Sequence, residues 1–291
     1  MIPEHLVREL RYIELRTSQR IKNLRAGAYT SPLRGDGFDF DQHRHYRPGD
    51  DVRRIDWNVT ARLGMPFLRQ THAERELDIV LAVDLSRSMR YVSGRRSKHE
   101  ALTLITACLL FSAAADQINT GFLAFTDRVV RWVPPTANKG RAWTVLSEMW
   151  ALDEKSDRTA IMPAVHHLLR SLKRMTLIFL ISDFLTDEDL TNARELSMLA
   201  GRHDVVAVIL GDKAEMRLPS GSGFVRVRDM ESGDEMLLRL TNAVRERYAD
   251  TIRHRRDELK RYCYRTGIDP VFIETDGDVV EPLLATFERR L

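Results

Sequence analysis

The chain of 291 residues carries 45 Lys and Arg against 42 Asp and Glu, a formal net charge of +3, and so near a balance gives nucleic acid no support as a partner. It is long enough to bury one large core, or a core with a smaller appendage, while its longest apolar stretch, 102–115, is interrupted by Thr103, Thr106 and Ser112 and falls short of the roughly 20 apolar residues that span a bilayer. Cys108 and Cys263 stand far apart without metal-ligand spacing, which excludes a disulfide framework or zinc site, and the charged N-terminus lacks the pattern of a secretory signal, so a cytoplasmic protein that does not engage a membrane is expected.

Residues 3–24 place Leu6, Leu10, Ile13, Leu15, Ile21 and Leu24 at mostly helical spacing among Arg and Glu, predicting one amphipathic helix that ends by Gly27. From 30 to 75, Gly35, Gly37, Pro48, Gly49, Gly64 and Pro66 punctuate short stretches, predicting loops and short strands. After Leu77, apolar runs alternate with helical patterns. Strands are predicted at 78–83 (DIVLAV), at 120–125 and 129–133 across the turn Thr126-Asp127-Arg128, at 177–181 and at 205–210, with helices at 98–115, 140–150, 160–172 and 190–200. A hairpin, 224–227 with 236–240, breaks the alternation before a charged helix at 241–265, a strand at 271–274 and a last helix at 279–291. This order predicts an α/β fold, a doubly wound and mostly parallel sheet over 77–291, preceded over 1–76 by an N-terminal helix and a short loop/β segment.

In such sheets ligands bind beyond the carboxyl ends of the strands. Asp84 directly follows DIVLAV, and Asp183 directly follows LIFLIS. Asp84, Ser86 and Ser88 alternate in one turn, so their oxygens can converge while Leu85 and Arg87 face elsewhere. A helix cap alone needs one oxygen, and this turn offers three. A hard divalent cation takes about six, so more ligands are required. Asp183 and Thr159, which opens the 160–172 helix, are the candidates, with Thr186, Ser156 or Asp157 as substitutes for Thr159. Oxygen donors alone point to magnesium or manganese, and with two carboxylates among them they leave the ion a position for water or an incoming carboxylate. The run Arg253-His254-Arg255-Arg256 reads as a solvated helical face, and His166 and His167 as structural.

The pattern Asp84-x-Ser86-x-Ser88 after an apolar strand, then Thr159, then Asp183 after a later strand, resembles the metal ion-dependent adhesion site of von Willebrand factor A-type domains over about 77–274. The resemblance implies that these five residues bind the cation, some through water, and that a partner's acidic side chain completes the shell. Upstream, RHYRPGDDVRRIDW from Arg44 to Trp57, continuing through Thr60-Ala61-Arg62, resembles the signature of the family called domain of unknown function 58, which places it before an A-type domain. That family's association with MoxR-type AAA+ ATPases implies an adaptor or client-recruiting partner, with Arg44, Arg53, Asp56 and Arg62 as candidate contact residues. The alternative for this segment is a platform in which Arg and Asp pair while Ile55 and Trp57 pack on the sheet.

No enzyme is expected, since the chain lacks GxxxxGK[ST], GxSxG, HExxH and GxGxxG motifs. The competing enzymatic reading is a haloacid dehalogenase-like phosphohydrolase with Asp84 as nucleophile. It would need an acid/base Asp two positions on, where the chain has Ser86.

Overall fold

Apolar runs without polar alternation need cover on both faces, and in the computed structural model they become the middle of a six-stranded sheet. Residues 2–20, 34–35, 39–47, 50–72, 78–115, 117–136, 140–152, 158–228 and 235–283 are described. They fall into two units, Met1–Lys22 with Leu77–Leu291, and Asn23–Glu76.

Helix α1 (Glu4–Arg20) opens the first unit. The second unit contains β1 (Arg34–Gly35), β2 (Asp39–His45), helix α2 (Trp57–Leu63) and β3 (Phe67–His72), its antiparallel strands ordered β1-β3-β2. The short strands were expected, but α2 was not. At seven residues it is too brief to display an apolar period, and it is set by its ends: Asp56 accepts from the amides of Asn58 and Val59, and Gly64 closes it at φ 70°. Trp57 is 68% exposed, not packed on the sheet as the platform reading has it.

The chain then forms β4 (Asp78–Asp84), α3 (Lys98–Ala115), β5 (Asn119–Phe125), β6 (Val129–Thr136), α4 (Arg141–Ala151), α5 (Met162–Ser171) and β7 (Thr176–Ser182). It continues through α6 (Arg194–Arg202), β8 (Asp204–Gly211), α7 (Lys213–Met216), the hairpin β9 (Gly223–Arg228) and β10 (Glu235–Leu240), α8 (Asn242–Thr266) and β11 (Asp269–Glu274). The strand order is β11-β8-β7-β4-β5-β6, parallel except where β6 returns antiparallel to β5. The outermost strands both contain proline, Pro134 and Pro135 in β6 and Pro270 in β11. A 3-10 turn at Leu190–Asn192 divides the helix expected at 190–200, so that α6 starts at Arg194. The expected last helix, 279–291, extends outside the described residues, which are helical at 281–283.

Alternate strand residues feed two cores. Ile79, Leu81 and Val83 of β4 join Leu102, Ile105 and Leu109 of α3 and Val145 and Met149 of α4 on one face. Val80 and Ala82 meet Val165 and Leu168 of α5, Leu196 and Leu199 of α6, and Tyr262 and Cys263 of α8 on the other. Helix α3 has 13 of its 18 residues buried, which requires cover on its outer side as well as from the sheet. α1 supplies it through Leu6, Leu10 and Ile13. Its contacts thus group α1 with Leu77–Leu291, not with the rest of the expected 1–76 segment. Leu15 falls off the stripe, because two residues past Ile13 is about 200° around a helix, and it is 68% exposed. Ile21 and Leu24 lie outside the described residues. No described helix is long and apolar enough to cross a membrane.

If α1 is an integral layer, Leu10→Ala should lower the unfolding free energy by about 2–5 kcal/mol in urea titrations, and Leu15→Ala by less than about 0.5 kcal/mol. Equal effects of the two would mean that α1 does not cover α3.

Candidate functional site

From β4 the chain moves to β5 on one side and later returns to β7 on the other. Neighbouring strands whose connections depart in opposite directions leave a crevice at their carboxyl ends. Asp84 ends β4 and Asp183 follows β7, and both are buried there, at 0% and 6% exposure. Asp84 Oδ1 accepts the Ser86 amide at 2.8 Å, and Oδ2 accepts the Ser182 hydroxyl at 2.6 Å. Burial, reinforced by the charge of Asp183, raises the Asp84 carboxyl from its ordinary 3.8 to about 7 despite these bonds.

The buried hydroxyls of Ser86 and Ser88 pair with one another at 3.1 Å. Ser86 stands at the N-cap position of the 3-10 turn Arg87–Arg90, but its side-chain oxygen accepts no capping bond. Capping therefore does not account for it. Thr159 is tied to the same edge through its backbone: its carbonyl accepts the Thr186 hydroxyl at 2.8 Å, and the Ala160 amide donates to the Thr126 carbonyl at 3.0 Å. Its own Oγ1 is buried without a hydrogen-bond partner, an arrangement that costs about 1–3 kcal/mol. Nor does it cap α5, since the amides of Ile161 and Met162 go to the Glu188 carboxylate. Of the substitutes for Thr159, Thr186 donates to the Thr159 carbonyl and accepts the Glu188 amide, and Ser156 and Asp157 lie outside the described residues.

Asp183 has a partner that the sequence reading missed. Lys98, the first residue of α3, is fully buried and donates to Asp183 Oδ2 at 2.8 Å and to Glu215 Oε1 at 2.5 Å. Burial alone would lower the pKa of this ammonium, but the two carboxylates outweigh it and raise it. The same burial raises Glu215, with Lys98 acting against it. Asp183 Oδ1 accepts the Leu185 amide at 3.0 Å. Between them Phe184 adopts φ 55°, its side chain buried and its amide on Ser182 Oγ at 2.9 Å. A left-handed conformation costs a residue with a Cβ about 1–2 kcal/mol, and such strain clusters at functional sites. Glu215 belongs to α7, a four-residue helix held by a capping box between Asp212 and Glu215, which was also not expected.

The edge thus collects Asp84, Ser86, Ser88 and Asp183, with Thr159 anchored beside them by its backbone. Among the described residues no group of three or more His, Cys, Asp or Glu side chains is placed to hold a metal. An ion here would depend on hydroxyls. The donors are oxygens throughout and one of them is an unpartnered buried hydroxyl, which fits a magnesium-like ion, although Lys98 already neutralises one of the two carboxylates.

In the second unit Arg44 forms a two-pronged pair with Asp50, both bonds 2.7 Å, and Asp50 is drawn down to about 2 chiefly by that pairing. Asp56 caps α2 and bonds His43 Nε2 at 2.9 Å. Arg44 and Asp56 are therefore engaged within their own unit, while Arg53 and Arg62 are exposed.

A model of the family described as "Protein of unknown function DUF58" matches residues 42–258. The chain is 29% identical over 275 residues to uncharacterized proteins of Mycobacterium bovis and Mycobacterium tuberculosis, covering 94% of this chain and 86% of theirs. Among solved structures it is similar to an aerotolerance-related membrane protein from Bacteroides fragilis, at 18% identity and TM-score 0.45, covering 73% of this chain and 99% of that one. It is also similar to the conserved hypothetical protein BatB from Bacteroides thetaiotaomicron, at 15% identity and TM-score 0.43 with the same coverage.

In the absence of divalent ions the raised Asp84 carboxyl has a signed consequence for stability. The folded chain keeps this proton up to about pH 7, whereas the unfolded chain releases it near 3.8. The folded state binds more protons in between, so stability is fullest below that window and declines as pH rises from about 4 to about 7. Urea titrations in chelator should show the decline, and Asp84→Asn should remove much of it. An unchanged slope in the variant would mean that Asp84 is not the group responsible.

Proposed function

The chain belongs to the DUF58 family, and on that premise we propose that its α/β unit is a von Willebrand A-like, metal-dependent protein-binding module, an adaptor or client-recruiting partner of a MoxR-type AAA+ ATPase. The observation that carries this reading is the buried, unpartnered Oγ1 of Thr159, whose backbone is tied to the same carboxyl edge of the sheet that bears Asp84, Ser86 and Ser88. A buried hydroxyl without a partner is costly, and a hard cation offers one by taking up a lone pair of the hydroxyl oxygen.

Asp84, Ser86 and Ser88 would hold magnesium or manganese, with Thr159 and Asp183 contributing directly or through water. Bound there, the ion supplies an electrophilic point that a partner's carboxylate can complete. The residues of the chain prepare that encounter. Ser182 fixes one oxygen of Asp84 and the Ser86 amide the other. Lys98 offsets the charge of Asp183, so that the donor set carries little more than one negative charge and leaves the ion hungry for another. Burial keeps water away, and a charge-assisted contact gains strength accordingly. Ser86 stands where a phosphohydrolase would need its acid/base carboxylate, which favours binding over turnover.

Manganese or magnesium should raise the melting temperature of the wild-type chain, and Asp84→Ala should abolish the response while leaving the circular dichroism spectrum unchanged. A wild-type melting temperature indifferent to both ions would reduce the site to a turn. Capture of the cognate MoxR-type ATPase should weaken in chelator and with Ser86→Ala or Ser88→Ala. Capture that survives chelator and Asp84→Ala but fails with Arg53→Ala would move the interface to the second unit and reject a metal-bridged contact.

A further inference from the structure

Helix α7 faces two ways. Its Glu215 reaches Lys98, and through it Asp183. Its Lys213 and Met216 line a groove of about 710 Å³ formed with α8 and the end of β11. The groove therefore begins on the far side of the same helical turn that buttresses the candidate cation site.

Its charge is one-sided. Lys213, Arg217, Arg245, Arg253 and Arg256 line it against Glu246 and Glu274. Three of the arginines are already held, Arg245 by the Gly221 carbonyl and the Asn242 side chain, Arg253 by Asp250, and Arg256 over the Phe272 ring at 4.1 Å. Lys213 and Arg217 are exposed and, among the described residues, make no ion pair. Between these charges Met216, Leu218 and Ile252 are half-buried and give the groove an apolar floor.

We infer that this groove receives an acidic segment of the protein partner, in which Asp and Glu alternate with apolar side chains. The inference builds on the cation-dependent binding proposed above, because one carboxylate of the segment would complete the ion while the following ones meet Lys213 and Arg217. Charge complementarity selects this occupant: unpaired cations steer and register carboxylates, and the floor accepts the interleaved apolar groups. A phosphate backbone, charged at every step, would run against Glu246 and Glu274.

The test uses the full chain and a fluorescein-labelled peptide of Glu and Leu, followed by anisotropy with manganese and, separately, with chelator. Lys213→Glu with Arg217→Glu should weaken binding at least about tenfold in manganese, whereas Arg170→Glu with Lys173→Glu, at the opposite end of the strands, should leave it unchanged. Binding lost with chelator or Asp84→Ala but untouched by the Lys213/Arg217 reversal would overturn the groove and keep the cation reading. Binding lost with the reversal yet indifferent to chelator and Asp84→Ala would keep the groove and overturn the cation reading. A wild-type chain that ignores the peptide, or one from which a single-stranded oligonucleotide of equal length displaces it, would overturn the acidic-segment assignment.

Discussion

Carboxylates placed at the ends of strands buried on both faces have no water to hold their charge, and the carboxyl edge of this sheet is arranged around that constraint. Three neighbouring strands, β8, β7 and β4, are each closed by a buried Asp: Asp212, Asp183 and Asp84. Each is compensated differently. Asp212 receives the hydroxyls of Ser93 and Thr275 and the Ala214 amide and thereby starts α7. Asp183 receives a buried ammonium. Asp84 accepts the Ser182 hydroxyl and the Ser86 amide but, among the described residues, has no ion pair, and its carboxyl is the one pushed to about 7. Removing one member of a buried ion pair costs about 3–5 kcal/mol, so the start of α3, the placement of α7 and the turn at Phe184 are linked through these few polar atoms.

This linkage ties the core to the candidate site. α3 is the most deeply covered helix of the first unit, held between the sheet and α1, and Lys98 is its first residue. A change in the charge at Asp183 is thus felt at the start of the helix that organises one entire core. The second unit follows a different economy, with Arg44 of β2 paired to Asp50 and Asp56 both capping α2 and bonding His43 of β2.

The central strands could be read in the sequence because burial on both faces leaves an unbroken apolar run, and β4, β7 and β8 show it within a residue or two of their observed bounds. Asp84 and Asp183 were legible for the same reason, as the first acidic residues after such runs. What escaped was set by tertiary context. Helices α2 and α7 are shorter than any apolar period and exist through their caps. Lys98 resembled any lysine that opens a helix, and only the return of β7 and α7 to its side reveals two carboxylates around it. The unpartnered hydroxyl of Thr159 is a property of neighbours distant in sequence, and no spacing encodes it.

The prolines in β6 and β11 have a consequence of another kind. An outermost strand offers a row of free amides and carbonyls on which a foreign strand can be templated, and proline interrupts that row because it has no hydrogen to donate. With Pro134 and Pro135 on one flank and Pro270 on the other, the sheet is terminated on both sides. Many copies could be crowded together without their six-stranded sheets zipping edge to edge into a continuous ribbon.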